Sequence, residues 1–309
     1  MRARHVALPL LSAFAGILMT AAAAGPVHGQ DAKAPAACVG IWKEIGIPEE
    51  RSVANIAVIC HLGYVVGYNK RSKTPDWVIE RLTPSETKGK ATREDQDFKA
   101  EDDVGKEFQA QPADYDGSGL DKGHNAPAAD FAGNQKMLDD TFVLSNAVPQ
   151  VGAGFNRSIW RSLETQIRNT IGNNHEALYV ITGSVAQEAQ PIKIDDICGT
   201  NLTLPTIKPV AICAGENKDS KETCAAGVAV PAAMFKIVYD PAVQNAYAVL
   251  MENKNHTGLY KSGQGTAYIR AHKVSIATIE DLTGLRFFTA LPDRKHRQMR
   301  ASCVEPKLH

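Results

Sequence analysis

Apolar residues form short runs along the chain that predict a mixture of strands and helices. The run LGYVVGY at 62–68 predicts a strand, and WVIERL at 77–82 predicts its hairpin partner. Further short apolar runs are predicted to be strands, at 141–144, 177–182, 235–239, 246–251 and 267–269. Because strands and helices do not alternate regularly, the pattern indicates an α+β fold.

The clearest helix is predicted to begin near Asn156. Ile159, Leu163 and Ile167 recur every fourth residue and form one apolar stripe. Other helices are predicted over 134–140 and 275–282, the second ending at Gly284 as the last helix of the chain. The connecting segments are predicted to be a solvated charged loop at 85–103 and a glycine-rich turn at 117–123.

The first 29 residues have the pattern of a secretory signal peptide. Arg2 and Arg4 precede an apolar run at 6–24, and small residues follow before a polar stretch. A membrane anchor is the alternative, although the run is short for a spanning helix and rich in alanine. We therefore expect an exported protein, periplasmic or secreted, with no membrane contact after signal removal. Its mature part, 30–309, is expected to be a single domain with a cysteine-containing insertion at about 184–227.

Charge and cysteine content narrow the picture further. The 309 residues include 34 Lys and Arg and 34 Asp and Glu, so nucleic-acid binding would need a local basic patch. All six cysteines lie in the mature part and none forms a C-x-x-C pair, which favours disulfides over a zinc ribbon. Cys38 and Cys60 are the first predicted pair. The other four are expected to pair among themselves, and these are Cys198, Cys213, Cys224 and Cys303.

The segment LDKGHNAPAADF at 120–131 is the first candidate for chemistry. His124 is suited to proton transfer near neutral pH, and Gly123 beside it would let a bulky substrate come close. A lone histidine is more often a packed or surface residue, so this segment alone does not establish a site.

The predicted helix after Asn156 is the second candidate. Polar and aromatic side chains four residues apart lie along one ridge of it, namely Asn156, Trp160, Glu164 and Arg168. Amide and carboxylate oxygens suit hydrated Mg²⁺, which needs few protein ligands. The alternative is an ordinary Glu164–Arg168 surface pair with Trp160 in the core.

Together these segments resemble the DNA/RNA non-specific endonucleases, the ββα-metal family that includes mitochondrial endonuclease G. The family's D-R-G-H and A-P-A signature corresponds to DKGH at 121–124 and APA at 126–128. Its L-S-N and P-Q element corresponds to 144–146 and 149–150, and its N-x-x-x-W-x-x-L-E helix to 156–164. The resemblance extends over about 62–291 and implies a central antiparallel sheet flanked by helices.

The resemblance also implies roles for individual residues. His124 would be the general base, and Asn156 would hold a hydrated Mg²⁺, with Mn²⁺ as the substitute ion. Glu164 would orient water around the metal, and Arg168 and Arg93 would contact phosphate. Asn146 would support the metal helix or the substrate, and Asp121 is grouped with it among the substrate-binding residues.

Two features depart from the family pattern. Lys122 stands where the family usually has arginine, which keeps the positive charge but loses the planar fork that grips phosphate at two points. Lys122 remains among the expected catalytic residues. The insertion at 184–227 is the other departure, and it bears on how substrate reaches the site.

The sequence therefore predicts an exported Mg²⁺-dependent endonuclease that cuts DNA and RNA with little sequence preference and leaves 5′-phosphate products. Indifference to sequence follows if its contacts go to phosphates rather than to base edges. Two alternatives stay open, a nucleic-acid- or partner-binding module on the same fold and a narrower phosphodiesterase. A homodimer also stays open.

Overall fold

A central antiparallel sheet organises the protein, whose computed structural model describes residues 38–50, 55–94, 96–171, 176–186, 191–204, 211–212, 227–261 and 264–303. All of these residues fall within one compact unit, Ala32–His309. The predicted signal peptide at 1–29, Cys213, Cys224 and part of the predicted insertion lie outside the described residues.

The strands in chain order are β1 (Glu49–Glu50), β2 (Ile56–Cys60), β3 (Tyr64–Asn69), β4 (Thr74–Leu82), β5 (Leu120–His124), β6 (Ala147–Val151), β7 (Leu178–Val185), β8 (Ile192–Asp195), β9 (Asn201–Leu204), β10 (Ala211–Ile212), β11 (Val228–Ala229), β12 (Ala233–Asp240), β13 (Asn245–Glu252), β14 (Lys273–Val274) and β15 (Leu285–Arg286). The helices are α1 (Val39–Trp42), α2 (Pro84–Thr87), α3 (Gln135–Asp140), α4 (Arg161–Thr170), α5 (Thr257–Lys261), α6 (Gly265–Ala271), α7 (Ile276–Thr283) and α8 (Asp293–Arg300). Short 3-10 turns form at 106–108, 112–115, 128–131 and 144–146.

Seven of the described strands form the main sheet, in the order β14-β13-β12-β7-β4-β3-β2, and every neighbouring pair is antiparallel. The β3–β4 hairpin confirms the pairing predicted from the two apolar runs. The α+β fold with an antiparallel sheet is likewise confirmed.

Both faces of this sheet are covered. Side chains of a strand alternate between faces, so Val78 and Leu82 of β4 pack with α4, while Trp77 and Ile79 pack with α7 and α8. Every residue of β12 is buried, as expected for a central strand with both faces covered.

The helical predictions hold for the main elements. Asn134 caps α3 by accepting from the backbone N–H of Lys136 and Met137. The predicted apolar stripe is confirmed, because Ile159, Leu163 and Ile167 are all buried. Helix α7 ends at Gly284 as predicted, with φ of +72° in the left-handed region.

Several segments differ from their predictions. The predicted turn at 117–123 is a turn only at Gly117 and Gly119, since 120–124 is strand β5. The predicted strand at 141–144 is a connection with one bridge between Val143 and Lys99. The predicted strand at 267–269 lies within α6, because so short an apolar run does not distinguish strand from helix.

Two further differences involve charged segments. Helix α8 follows α7, so the prediction that α7 is the last helix is wrong. The sequence of α8, DRKHRQMR, has almost no apolar stripe to reveal it, although His296 and Met299 are buried. The charged stretch 85–103 is mostly exposed as predicted, but Glu101 is buried, because its carboxylate pairs with His61.

Disulfides join distant parts of the fold. The predicted Cys38–Cys60 pair is confirmed, and Cys198 pairs with Cys303 as one of the pairings expected for the other four cysteines. Within the described residues, no helix combines the length and apolar character needed to cross a membrane.

Candidate active site

A two-stranded hairpin and the helix after it bring the predicted site residues together. Strands β5 and β6 pair with His124 opposite Ala147 and Asp121 opposite Gln150. The chain then turns at 152–154 into a wide helical segment, Gly152–Trp160, that continues as α4. Gly154 has φ of +80°, and a Cβ there would lie 2.5 Å from the backbone nitrogen of His256. Glycine is therefore required where the chain turns toward Asn156.

Asp121 binds the first polar residue of this helix. Its Oδ2 accepts hydrogen bonds of 2.8 Å from Asn156 Nδ2 and 2.8 Å from Arg157 Nε, and its Oδ1 pairs with Arg157 Nη2. The Arg157 side chain is 70% exposed, so this guanidinium faces solvent beside the asparagine. The carboxylate of Asp121 is thus engaged by protein groups and holds the start of the helix against β5.

The Asn156 amide has a fixed orientation as a result. A carboxylate only accepts hydrogen bonds, so the NH₂ end must face Asp121 and Oδ1 must face away. That oxygen accepts no hydrogen bond from the described residues, and Glu164 likewise makes no hydrogen bond or ion pair with them. Two unengaged oxygen groups on one helix fit a hydrated hard cation.

A second metal candidate is excluded by its chemistry. Among the described residues, Asp196, Cys198 and Cys303 form the one cluster of three His, Cys, Asp or Glu side chains close enough to share an ion. Its two cysteines are joined in a disulfide, and Asp196 accepts from Ser275 and Thr278. This cluster therefore supports the fold rather than a metal.

His124 lies in an aromatic pocket at the end of β5. Its ring centroid is 4.7 Å from that of Phe98 and 4.9 Å from that of Phe142, and its Nε2 is 3.4 Å from Thr141 Oγ1. Burial, together with the nearby Arg93 cation, lowers the pKa of His124 to about 3. The imidazole is therefore neutral near pH 7, and its unprotonated ring nitrogen carries a lone pair.

Two cations lie near this pocket. The guanidinium carbon of Arg93 is 5.5 Å from the Phe142 ring centroid, and the side chain is exposed. Lys122 lies on β5 with its Nζ 5.7 Å from the Tyr115 ring centroid. Both side chains place positive charge close to the His124 pocket.

Asn146 is completely buried, although it was grouped with the substrate-binding residues. Its Nδ2 donates to the backbone oxygens of Ala126 and Thr141 at 2.9 and 3.1 Å, and its Oδ1 accepts from Ala126 N at 2.9 Å. All its side-chain groups are thus used within the protein. Asn146 fixes the backbone on both sides of the His124 pocket and does not face a substrate surface.

A buried cluster of charges lies beneath α4. Arg168 pairs with the buried Asp130, and not with Glu164 as in a simple surface pair. Trp160 is completely buried, as that alternative expected. Burial raises the pKa of Glu164 to about 7, although the Lys236 cation opposes the rise. The remaining carboxyl group, Glu80, is also buried.

Lys236 is the central cation of this cluster. It is only 1% exposed, and its Nζ donates to Thr182 Oγ1 at 2.6 Å and to the Asn125 carbonyl at 3.2 Å. Its Nζ also lies 5.4 Å from the Trp160 ring centroid. Lys236 therefore connects the cluster to the residue that directly follows His124.

Gly123 has a different role from the one predicted. A Cβ at this position would lie 2.2 Å from Cδ of Gln150, which is completely buried opposite the strand. Glycine is therefore required here because a side chain would clash with Gln150. The sequence alone suggests a different reason for the same glycine, the close approach of a bulky substrate.

Four residues near the site were missed from sequence: Glu80, Asp130, Arg157 and Lys236. The sequence held a signal for two of them. Glu80 shares a strand face with Val78 and Leu82, and Lys236 shares one with Met234 and Val238, so each charge lies on an apolar face. A charge at such a position is rare in a core and indicates a partner.

Comparison with known proteins extends beyond this site. A model of the DNA/RNA non-specific endonuclease family matches residues 47–294. A nuclease of Syncephalastrum racemosum is 32% identical over 235 residues, 75% of this chain and 68% of that protein. Nuclease C1 of Cunninghamella echinulata var. echinulata is 32% identical over 230 residues, 74% of this chain and 81% of that protein.

Relatives of the endonuclease G type also match. Mitochondrial endonuclease G of Homo sapiens is 41% identical over 120 residues, which are 39% of this chain and 40% of that protein. A crystal structure of the EndoG/EndoGI complex, concerned with the mechanism of EndoG inhibition, matches with a TM-score of 0.65 at 29% identity. It covers 84% of this chain and 95% of the matched chain.

These matches span the main sheet, the hairpin and the helix that carry the candidate site, so they confirm the resemblance, the ββα-metal fold and a nuclease enzyme acting on nucleic acid. The chain belongs to the DNA/RNA non-specific endonuclease family.

Proposed function

We propose that this protein is an exported, Mg²⁺-dependent endonuclease that hydrolyses phosphodiester bonds of DNA and RNA without sequence preference. The Asn156 amide carries the proposal, because Asp121, on the same strand as the neutral His124, binds its NH₂ group and leaves its oxygen unengaged by the described residues. A binding module would not require an unengaged ligand oxygen and a neutral base in one hairpin and helix.

His124 is the proposed general base. As the neutral imidazole, it takes a proton from the water that attacks phosphorus, which is the role a positioned histidine performs in proton transfer. Phe98 and Phe142 limit rotation of its ring, and Thr141 Oγ1 lies 3.4 Å from Nε2. These contacts hold the ring in one position before substrate binds.

Asn156 would hold the metal through Oδ1, and Glu164 would orient water around it. Bound Mg²⁺ supplies neutralisation of the phosphate charge and stabilisation of the leaving 3′ oxygen. Mn²⁺, which accepts the same oxygen ligands, is the expected substitute. Asp121 contributes by keeping the amide oxygen of Asn156 directed outward.

The cations of the site would bind the substrate through its phosphates. Arg93 is exposed beside the His124 pocket, and Lys122 lies on the same strand as His124. Arg168 adds positive charge beside Glu164 while it pairs with Asp130. Contacts of this kind carry no base information, which agrees with cleavage independent of sequence. The family resemblance favours 5′-phosphate products.

Export is supported by covalent chemistry. Two disulfides, Cys38–Cys60 and Cys198–Cys303, join segments of the described fold, and such bonds persist in oxidising compartments. Together with the amino-terminal pattern at 1–29, they favour a periplasmic or secreted protein.

The test is cleavage of plasmid DNA and of RNA by the mature protein, with Mg²⁺ and with chelator. His124→Ala and Asn156→Ala are each expected to lower the rate by at least about a hundredfold. Asn201→Ala, at an exposed position of β9, is the matched control and should cut normally. Binding without cleavage by the unmodified chain would support the binding module, and cutting that survives His124→Ala would assign the base to another residue.

A further inference from the structure

Glu80 is a buried acid beneath the active site that the proposed chemistry does not use. It lies on β4 between β3 and β7, paired with Tyr64 and Val180, and is 1% exposed. Among the described residues, neither of its carboxyl oxygens accepts a hydrogen bond. The hydroxyl of Tyr64, its cross-strand partner, donates instead to the Asp140 carbonyl at 2.7 Å.

An ionised carboxylate is very unfavourable in such a place. Burial without a hydrogen-bond donor strongly disfavours a charged group, so the group takes up a proton instead. Consistently, burial and the neighbouring Asp130 carboxylate raise the pKa of Glu80 well above its usual range, and Lys236 only partly opposes this.

The charges around Glu80 point the same way. Three carboxyl groups, those of Glu80, Asp130 and Glu164, face two cations, Arg168 and Lys236. With all three ionised, the buried cluster would carry one excess negative charge. A single proton restores neutrality, and Glu80, whose two carboxyl oxygens are both buried without a donor among the described residues, is the group best suited to hold it.

The acid form of Glu80 has one O–H to donate, and the neighbouring Asp130 carboxylate is the group that can accept it. Burial raises the pKa of Asp130, whereas the Arg168 guanidinium and a hydrogen bond from the Glu80 carboxyl both favour its ionised form. Asp130 in turn accepts from Arg168 Nη1. Glu80, Asp130 and Arg168 thus form a chain that ends beside Glu164 on α4.

We propose that Glu80 is a positioning residue of the active site that, as the neutral acid, donates a hydrogen bond to Asp130 and thereby holds Arg168 beside Glu164. Glu80 itself touches neither substrate nor metal. Its proton keeps Asp130 ionised for Arg168, and it leaves Glu164 as the one carboxyl of the cluster free to act on water. The role in catalysis rests on the proposed endonuclease function, but the protonation of Glu80 does not.

Infrared spectroscopy tests the proton directly and needs no activity. At about pH 8, where an ordinary glutamate is fully ionised, the difference spectrum of wild type minus Glu80→Gln should contain the carbonyl band of one neutral carboxyl. Bands of other raised acids cancel in the difference. If the spectrum shows only a carboxylate, the proposal is overturned, whether or not the protein cuts nucleic acid.

The wild type alone provides a second measurement if Glu80→Gln does not fold. Glu50 and Glu164 have pKa values raised to about 8 and about 7. One neutral-carboxyl band must therefore persist as the pH is raised beyond the ionisation of both. If no neutral-carboxyl band remains once Glu50 has ionised, the proposal is overturned.

Activity then separates positioning from simple packing. Glutamine is neutral and can donate to Asp130, so Glu80→Gln should keep kcat/KM within about threefold and leave the acid limb of the pH profile unmoved. Glu80→Met fills similar space without a donor and should lose about tenfold or more. Glu107→Gln, at an exposed position, is the control. A shift of the acid limb in Glu80→Gln would mean that Glu80 is ionised, and equal rates in both variants would mean that it only fills space.

Discussion

Asp121 and Asn156 are joined by a hydrogen bond of 2.8 Å that decides which end of the Asn156 amide faces the strand. Only the NH₂ group can donate to a carboxylate, so the amide oxygen faces away from Asp121. The same carboxylate anchors the exposed guanidinium of Arg157. Asp121, which was expected among the substrate contacts, therefore orients Asn156, the proposed metal ligand.

Asp121→Asn is expected to weaken metal binding. An asparagine here can both donate and accept, so the Asn156 amide loses its fixed orientation and Arg157 loses its charge partner. Loss of a group that orients a ligand raises the Mg²⁺ concentration for half-maximal cleavage by about tenfold to a hundredfold. A Mg²⁺ titration of plasmid cleavage measures this, with Asp116→Asn at an exposed position as control. An unchanged Mg²⁺ requirement would contradict the orienting role.

Gly123→Ala is expected to destabilise the protein. The new Cβ would lie 2.2 Å from Cδ of the buried Gln150, so the hairpin must shift, and overpacking of this kind costs about 1–3 kcal/mol of unfolding free energy. Activity should fall as well, because His124 follows directly. Urea unfolding measures the loss. In Gly258→Ala the new Cβ has no atom within 4 Å, so this variant is the matched control. Equal unfolding free energies for the two variants would show that the Gln150 side chain moves aside at little cost.

The sequence was most informative where local pattern and fold agree. The stripe of Ile159, Leu163 and Ile167 predicts α4 because one helical face packs on the sheet. Pattern failed at 120–124, where the glycines around Asp121 masked a strand whose pairing with β6 depends on residues 23 or more positions away. The register of such a hairpin is set by contacts between segments that are distant in sequence, so a local pattern does not reveal it.

The partners of charged residues were equally hard to predict. Arg168 and Glu164 are four apart on a helix and suggested an ion pair, but Asp130 lies closer to the guanidinium because the 3-10 turn at 128–131 packs beneath α4. Local spacing limits which neighbours can meet, whereas burial decides which do.

Lys122→Arg is expected to increase cleavage. Lys122 Nζ lies 5.7 Å from the Tyr115 ring centroid, a position in which an arginine can stack while its planar fork binds phosphate at two points. We expect kcat/KM to rise by about threefold to tenfold. Lys106→Arg, at an exposed position, is the control for a general effect of arginine. A rate equal to that of the wild type would show that lysine serves this site fully.

His61 connects the walls of the His124 pocket and gives stability a particular pH dependence. Its Nε2 lies 3.2 Å from Glu101 and its Nδ1 3.3 Å from Asp140, which directly precedes Thr141 and Phe142. Burial disfavours the imidazolium, but hydrogen bonds to Asp140 and Glu101 outweigh it and raise the pKa of His61 from 6.5 to about 9. A histidine with a raised pKa stabilises the fold fully below pH 6.5, and this stabilisation is lost as the pH rises through about 9.

The shift corresponds to about 3 kcal/mol of unfolding free energy lost between those pH values. Urea unfolding from pH 6 to 10 should show this decline in the wild type, and His61→Gln should start lower and decline less, because the raised acids Glu50 and Glu164 still contribute. His272→Gln is the matched control, because burial lowers the pKa of His272 and its linkage therefore acts below pH 6.5 with the opposite sign. The same decline in His61→Gln as in the wild type would assign the titration to another group. A smaller decline together with weaker protection of the Phe142 amide from hydrogen exchange would show that His61 holds the wall of the His124 pocket.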